Sequence, residues 1–270
     1  MQIPTASILC LLASTLVAVG VPVALAIFGK VRYRIALKPV VTGALCFVVG
    51  AMVLESLLHQ LVFRLVPTLP MMPWLYVAYG ALAAGVFEEV ARFVGLKALC
   101  RFERPDLRTG FAYGVGHGGI ESILLMGANG ISSLAILITA NRAGAESLLA
   151  GLEGAQRTAM EAQLAAAAAT PSWQYLLGGY ERLVAITLHL ALSVLVWMVA
   201  CGWLPKAFLG VSILLHALAD VPAAMAQVGL LGSVLLVEGL TTLVTAYVAW
   251  YVYTLYKRAK KHAQAHGAPL

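Results

Sequence analysis

Charged residues are scarce in this sequence, and their scarcity excludes a water-soluble fold. Only 11% of the 270 residues are Asp, Glu, Lys or Arg, whereas 61% are hydrophobic. A typical soluble domain carries about 25% charged residues. Because long apolar runs recur along the whole chain, the sequence predicts a multi-pass protein of a cell membrane, of the bacterial inner or plasma membrane type.

Three familiar sequence patterns are also missing. The cysteines lie far apart and no CxxC occurs, so neither a disulfide framework nor a zinc knuckle is indicated, and we expect all of them to be small core residues. They are Cys10, Cys46, Cys100 and Cys201. The zinc signature HExxH is absent, and so is an inverted repeat of the kind common in membrane carriers.

Seven apolar segments are long enough for a spanning helix, which needs about 20 residues. They cover residues 5–28, 39–63, 74–98, 109–127, 174–200, 207–227 and 230–256. The sequence therefore predicts an all-α transmembrane helix bundle of about seven spans, forming a single domain over residues 1–270. The short apolar run at 128–140 contains Asn129-Gly130 near its start, and we expect it to be a re-entrant or interfacial segment.

Basic residues indicate the orientation of the bundle. Most of them fall in three loops and in the tail 257–270, which alternate with the predicted spans as cytoplasmic loops do. They are Lys30, Arg32, Arg34, Lys38, Lys97, Arg101, Arg104, Arg108, Lys206, Lys257, Arg258, Lys260 and Lys261. The N-terminus is thus predicted to lie outside and the C-terminus inside. This distribution also argues against a nucleic-acid partner, although the net charge is +6.

The longest connection, residues 141–172, is predicted to be an extracytoplasmic insertion. Its stretch from Ala145 to Ala169 is rich in Ala, Leu, Glu and Gln and favours a helix. This helix could lie on the membrane surface, cap the bundle or be an inert insertion.

Ionisable residues inside the spans need a reason, because each costs about 2.5–3.5 kcal/mol on insertion scales. Helix rise places Glu88, His117, His216 and His189 roughly 13, 12, 15 and 18 Å from the cytoplasmic edge. Four helices thus bring a carboxylate or an imidazole to nearly one depth. We expect Glu88, Glu89, His117 and His216 to converge there, with His189 at the edge.

Local spacing suggests partners within this group. Residues four apart on a helix share one face, so three pairs are predicted to be in contact. They are Glu88 with Arg92, His117 with Glu121, and His216 with Asp220. In the two histidine pairs the carboxylate would fix the tautomer of the imidazole.

A second set of polar residues lies in the predicted outer half of the spans. We interpret Glu55, His59, Glu181 and Arg182 as a structural ion-pair or hydrogen-bond network, and Glu238 lies at the same level.

The inner residues form three motifs that resemble those of a known superfamily. EEVAR at 88–92, YGVGH at 113–117 and HALAD at 216–220 look like the EExxxR, FxxxH and HxxxN/D motifs of the CAAX-protease and bacteriocin-processing superfamily. GHGGIE at 116–121, and Glu181-Arg182 followed by His189, look like its YhfC-type membrane peptidase branch. The resemblance covers roughly residues 40–256. The chain departs from it in a nearer arginine, in Tyr113 for Phe and in Asp220 for Asn.

The resemblance implies a glutamate-dependent intramembrane protease that cleaves a membrane peptide or protein in the lipid bilayer. Its catalytic residues would be Glu88, Glu89, Arg92, His117, His216 and Asp220, with Glu121 and His189 in support. Glu88 or Glu89 would take the proton of a water molecule and return it to the leaving amine. The histidines would position the water or polarise the carbonyl.

Two questions stay open at the level of sequence. The site is either free of metal or holds zinc, whose ligands would be His117, His189, His216 and Glu88. Buried Glu, Asp and His residues also mark proton relays. A proton- or ion-coupled transporter, or a non-catalytic membrane scaffold, is therefore the alternative function.

The predicted orientation is tested by a reporter fused after Leu270. Because the basic residues concentrate in the loops assigned to the inside, we expect the reporter to show cytoplasmic activity. An extracytoplasmic signal would contradict the assignment.

Overall fold

A computed structural model describes residues 2–102 and 106–265. Arg104 and residues 266–270 of the predicted tail lie outside these ranges. The described chain is helical and contains no strand, which confirms the all-α fold class. Its α-helices are α1 (Thr5–Tyr33), α2 (Leu37–Phe47), α3 (Ser56–Leu65), α4 (Pro73–Phe102), α5 (Leu107–Ser122), α6 (Asn129–Ala143), α7 (Ala145–Leu149), α8 (Gly154–Ala169), α9 (Tyr175–Ala200), α10 (Ala207–Gln227) and α11 (Val234–Ala265).

Six helical segments in the described ranges are long and apolar enough to cross a membrane. They are Thr5–Tyr33, Leu37–Leu65, Leu107–Ala143, Ser172–Ala200, Ala207–Gln227 and Val234–Lys261. Helix α4 is the remaining predicted span, and its 30 residues would cover about 45 Å. It contains Glu88, Glu89, Arg92 and Lys97, so its composition is less apolar than that of the six. The seventh span and the orientation of the termini stay predictions.

The run 128–140 forms no separate re-entrant segment, so that part of the expectation was wrong, and an interfacial position of the run stays a prediction. A π-helical stretch, Ile123–Ala128, leads directly into α6, and Leu107–Ala143 is one continuous helix. Asn129 does not break this helix, because its side-chain amide donates to the carbonyl of Leu125 at 2.6 Å. Gly130 lies against Thr15, where a Cβ would come within 2.2 Å of the hydroxyl.

The chain divides into two compact units, and the smaller comprises Met1–Val21 and Ser122–Leu183. Its apolar core includes Ile3, Leu11 and Leu137. The predicted insertion 141–172 falls here and contains α7 and α8, in agreement with the expected helical character. Leu164 on α8 is buried, so this helix packs on at least one face. The side of the membrane on which it lies stays a prediction.

The larger unit comprises Pro22–Glu121 and the chain from Val184 onward. Its core is built on the second half of α9, where Leu192, Leu195, Val196, Trp197 and Met198 are at most 1% exposed. Apolar residues of α4, α5, α10 and α11 pack around them. A helix that is apolar on every side in this way is suited to the interior of a bundle.

Two of the four cysteines are not merely small core residues. Cys100 at the end of α4 and Cys201 just after α9 form a disulfide with a Cα–Cα distance of 5.8 Å, whereas Cys10 and Cys46 are free. The pairing corrects the expectation for this pair. The two residues are 101 positions apart in sequence, and only the packing of the helix ends brings them together.

Glycines let α5 approach its neighbours closely. A Cβ at Gly116 would lie 1.8 Å from the backbone carbonyl oxygen of Val40 on α2. A Cβ at Gly118 would lie 2.9 Å from Cβ of His189 on α9. Helix α5 is thus held against α2 and α9 at backbone contact distance, which small residues make possible in membrane bundles.

Gly116→Ala should destabilise the protein, because the new methyl group would collide with backbone that cannot rotate away. Overpacking of this kind costs about 1–3 kcal/mol. A methyl group added at Gly210 on α10 would meet no atom within 4 Å, so Gly210→Ala is the matched control. Melting temperatures in detergent should fall for the first variant and not for the second. Equal melting temperatures would contradict the close contact of α2 and α5.

Candidate functional site

The predicted inner residues meet inside the larger unit. Glu88, Glu89, Arg92, His117 and His216 are each at most 7% exposed. His189 is buried as well, at 2%. Helices α4, α5, α9 and α10 contribute these side chains. The shared depth deduced from helix rise therefore corresponds to one buried cluster.

Glu88 lies at the centre of this cluster. Its Oε2 atom is 2.9 Å from His117 Nε2, 3.9 Å from His189 Nδ1 and 3.9 Å from His216 Nε2. His189 therefore faces the same oxygen as the other two imidazoles. The sequence analysis had placed it at the edge of the group, and the structure corrects this. One carboxylate oxygen from α4 is thus surrounded by imidazoles from three other helices.

Arg92 ties α4 to α9 beside this centre. One guanidinium nitrogen donates to the backbone carbonyl of His189 and to the hydroxyl of Ser193, each at 3.0 Å. The other donates to His189 Nδ1 at 2.9 Å and lies 3.2 Å from Glu89 Oε1. Arg92 is 4.0 Å from Glu88, so Glu89 is its nearer carboxylate, contrary to the spacing argument. The reason is that the guanidinium turns toward α9, where three acceptors are available.

Glu89 orients His216 from the other side. Its Oε1 atom accepts a hydrogen bond from His216 Nδ1 at 2.8 Å, and the hydroxyl of Ser212 donates to Oε2. Because an ionised carboxylate only accepts, the proton of His216 must be on Nδ1 in this arrangement. Nε2 is then directed toward Glu88, 3.9 Å from Oε2.

The two predicted histidine–carboxylate pairs along single helices do not form as hydrogen bonds. Glu121 pairs with His189 Nε2 on α9 instead of with His117 on its own helix. His216 Nε2 and Asp220 Oδ2 are 3.6 Å apart, beyond hydrogen-bond distance. In both cases a side chain from a neighbouring helix is the nearer partner of the imidazole.

The donor set fits a divalent metal ion. Glu88, His117 and His189 each offer a ligand atom, and these atoms lie within 4.8 Å of one another. In a tetrahedral zinc site, ligand atoms are separated by about 3.3 Å. The observed separations of 2.9 and 3.9 Å from Glu88 bracket this value. Glu121 on His189 Nε2 is the carboxylate that usually supports a metal-ligating histidine.

Two contacts must change for an ion to bind there: the hydrogen bond between His117 Nε2 and Glu88, and that from Arg92 to His189. Arg92 donates to His189 Nδ1, so the lone pair that faces Glu88 is engaged. Binding through this nitrogen requires the guanidinium to release it while keeping Glu89, Ser193 and the His189 carbonyl. His117 Nδ1 is buried without a hydrogen-bond partner in the described part of the chain, so His117 is bound by Nε2 alone.

The outer polar residues form local pairs. His59 Nε2 lies 3.2 Å from Glu55 Oε1, and His59 Nδ1 lies 2.7 Å from the Tyr79 hydroxyl. Glu181 and Arg182 are in contact as an ion pair in the smaller unit. Glu238 is half-buried on α11.

Two serines of the cluster escaped the sequence analysis. Ser193 follows His189 by one helical turn and binds Arg92, and Ser212 precedes His216 by one turn and binds Glu89. The same four-residue spacing that selected the acidic partners could have found them. A hydroxyl in an apolar helix gives a weak signal, however, because it can bond to its own backbone.

Arg92→Met should lower stability strongly, because it leaves Glu89 buried without its guanidinium partner. Breaking a buried ion pair from one side typically costs about 3–5 kcal/mol. Arg64 at the end of α3 is exposed, so Arg64→Met serves as the control. Thermal unfolding in detergent should show a large loss for the first variant only. A stable Arg92→Met protein would contradict the assigned role.

Comparison with known proteins identifies the family of this chain. The family model described as YhfC intramembrane metalloprotease matches residues 16–241, which include every residue of the cluster. A Bacillus subtilis (strain 168) protein named "Uncharacterized membrane protein YhfC" is 34% identical over 234 residues, covering 86% of this chain and 89% of that protein. No solved structure matches. The chain is a membrane protein and belongs to the YhfC intramembrane metalloprotease family.

Proposed function

We propose that this protein is an intramembrane peptidase whose substrate is a membrane peptide or protein. One observation carries the proposal: helices α4, α5, α9 and α10 surround a single Glu88 oxygen with three imidazoles in the interior of an apolar bundle. Burying so many ionisable groups is costly, and in membrane proteins such groups mark functional sites. The family to which the chain belongs is named for the same activity.

Glu88, His117 and His189 would hold a divalent ion of the zinc type. When bound, such an ion polarises a carbonyl and supplies a nucleophilic water at neutral pH. Three protein ligands leave one position open, as catalytic zinc sites do. His216 then stands beside the three, 3.9 Å from Glu88.

The side chains of the cluster have separate roles in peptide hydrolysis. Glu88 Oε1, the oxygen that would not bind the ion, would receive the proton of the attacking water. His216 Nε2 would take up this proton and pass it to the leaving amine. Glu89 and Ser212 hold His216 in the required orientation. Arg92 holds Glu89 and His189. Asp220, next to His216, is the candidate for contact with the substrate.

We also propose that the chain is a distant member of the CAAX-protease and bacteriocin-processing superfamily. The support is the order of its motifs: the acidic pair and arginine on α4, a histidine on α5 and a histidine with a following carboxylate on α10. In that superfamily the carboxylate is the centre of catalysis, and here Glu88 is the hub of the contacts.

The transporter alternative is not favoured, since the matching family is named for proteolysis and the inner residues form one compact cluster. A non-catalytic scaffold would keep the geometry without the reaction, so it is an outcome of the following experiment.

Glu88→Gln should keep the fold and remove the activity. Glutamine is nearly the same size, so packing is preserved while the proton acceptor is lost, and a loss of about 10²–10⁴-fold in rate is expected. Glu89→Gln should lower both the activity and the melting temperature, because Glu89 faces Arg92. Glu153 is exposed, so Glu153→Gln is the control. Cleavage of a peptide mixture by purified protein measures the effect.

Two outcomes of this experiment would contradict the proposal. If the Glu88→Gln, Glu89→Gln double variant cleaves peptides as fast as the parent, glutamate-centred catalysis is wrong. If neither protein cleaves any peptide, the scaffold interpretation moves ahead.

A further inference from the structure

A second polar feature of the larger unit is a cavity of about 290 Å³ between α3, α4 and α10. We call it the acidic cavity, after Glu55 and Asp220 in its wall. It extends from Phe63 near the end of α3 and Gln227 at the end of α10 to Asp220, two turns deeper on α10. This distance along the helix is about 10 Å. The cavity thus connects the ends of these helices with the neighbourhood of the buried cluster.

The cavity has a negative wall. Glu55 and Asp220 line it, and no Lys or Arg is among its lining residues in the described ranges. Glu55 is 9% exposed and ends a π-helical segment, a distortion that is frequent at functional sites. Its Oε1 atom accepts from His59, whereas Oε2 has no hydrogen bond within the part of the chain that the structure describes. A carboxylate only accepts hydrogen bonds, so a ligand that brings a donor into the cavity would satisfy this oxygen.

The other polar side chains of the wall contact one another: the Tyr76 hydroxyl donates to Gln227 at 3.3 Å, and His59 lies between Glu55 and Tyr79. His59 Nε2 donates to the ionised Glu55, and His59 Nδ1 is hydrogen-bonded to the Tyr79 hydroxyl at 2.7 Å. Both imidazole nitrogens are therefore engaged. The carboxylate oxygens of Glu55 and Asp220 are the charged acceptors of the wall, and they favour a ligand with donors such as N–H groups.

Aromatic rings complete the wall. The rings of Phe63 and Tyr76 stack with an interplanar angle of 15°, and Tyr79 contacts Phe63 edge-on. Aromatic faces attract ammonium and guanidinium groups at close range. Two carboxylates and several rings around one cavity are complementary to an organic cation.

The cavity is close enough to the cluster to hold part of the same substrate. Asp220 Oδ2 in its wall is 3.6 Å from His216 Nε2, and His216 Nε2 is 3.9 Å from Glu88 Oε2. The Asp220 side chain is 37% exposed, in contrast to the fully buried Glu89. With a volume just below the usual range for small-molecule pockets, of about 300–1,000 Å³, the cavity has room for a single side chain.

We propose that the acidic cavity is a substrate-recognition subsite that binds a guanidinium or ammonium group next to the cleaved peptide bond. The identification of the ligand as a substrate rests on the proposed peptidase function. Binding of a cation in the cavity does not require catalysis. The shared chemistry of the ligand is an organic cation. Its source is either a Lys or Arg side chain or a free amino terminus of the substrate.

Binding of benzamidine tests the cation site without any reaction. Benzamide has nearly the same shape but no charge, so the ratio of the two dissociation constants reports the acidic wall. Titration calorimetry on the purified full chain in detergent should give benzamidine at least about tenfold tighter binding, or roughly 1.4 kcal/mol. Glu55→Gln should abolish this preference, and the exposed control Glu153→Gln should keep it.

The ratio of the benzamidine and benzamide dissociation constants for the wild-type protein is enough to reject the proposal. The test therefore does not depend on whether Glu55→Gln folds. Equal affinities for benzamidine and benzamide would exclude a cation site in the cavity. A preference that persists in a folded Glu55→Gln protein would place the site elsewhere. Cation selectivity in a protein that cleaves no peptide would keep the cavity assignment and reject the peptidase.

Cleavage of matched peptides identifies the source of the cation. Peptides with Arg or Lys near the cleaved bond should be processed faster than their citrulline or norleucine counterparts, and Glu55→Gln should remove the difference. If instead acetylation of the amino terminus abolishes cleavage, the cavity binds a free terminal amine. Cleavage insensitive to both changes would reject the subsite.

Discussion

The buried contact of Arg92 with Glu89 and α9 is the interaction on which the rest of the site depends. A guanidinium without water must be surrounded by acceptors, and Arg92 finds them in Glu89, Ser193 and both the ring and the carbonyl of His189. These bonds fix the rotation of α4 relative to α9. Once that rotation is set, Glu88 on the adjacent face of α4 must point at the imidazoles, because neighbouring helix positions differ by about 100°. Arg92 thus both neutralises the charge of Glu89 and fixes the orientation of α4 relative to α9.

Much of this arrangement follows from the sequence, because helix rise is nearly constant. Counting residues from the basic loops was enough to place Glu88, His117, His189 and His216 at one depth, and the structure brings these four side chains together. The pairing of individual groups did not follow. Spacing within one helix assigned Glu121 to His117, whereas packing presents it to His189 on α9. The Cys100–Cys201 disulfide was missed for the same reason, since it joins two helix ends far apart in sequence.

In the proposed function, the cluster and the acidic cavity would divide the work of a peptidase between them. Hydrolysis needs fixed donors and a proton acceptor, and the buried cluster would provide them. Recognition needs an accessible surface with unsatisfied acceptors, and the cavity provides Glu55 and Asp220. Asp220 belongs to both, because it lines the cavity and lies 3.6 Å from His216. A substrate anchored by its charge would then be held with a peptide bond near Glu88.

The metal content of the purified protein tests the central claim most directly. Inductively coupled plasma mass spectrometry, on protein prepared without chelators, should find about one divalent ion per chain, as expected for three donors around one position. His117→Ala should lose this ion, and His59→Ala, which alters a histidine of the cavity wall outside the donor set, should retain it. A wild-type protein that cleaves peptides without any bound metal would contradict the account, as would full metal content in His117→Ala.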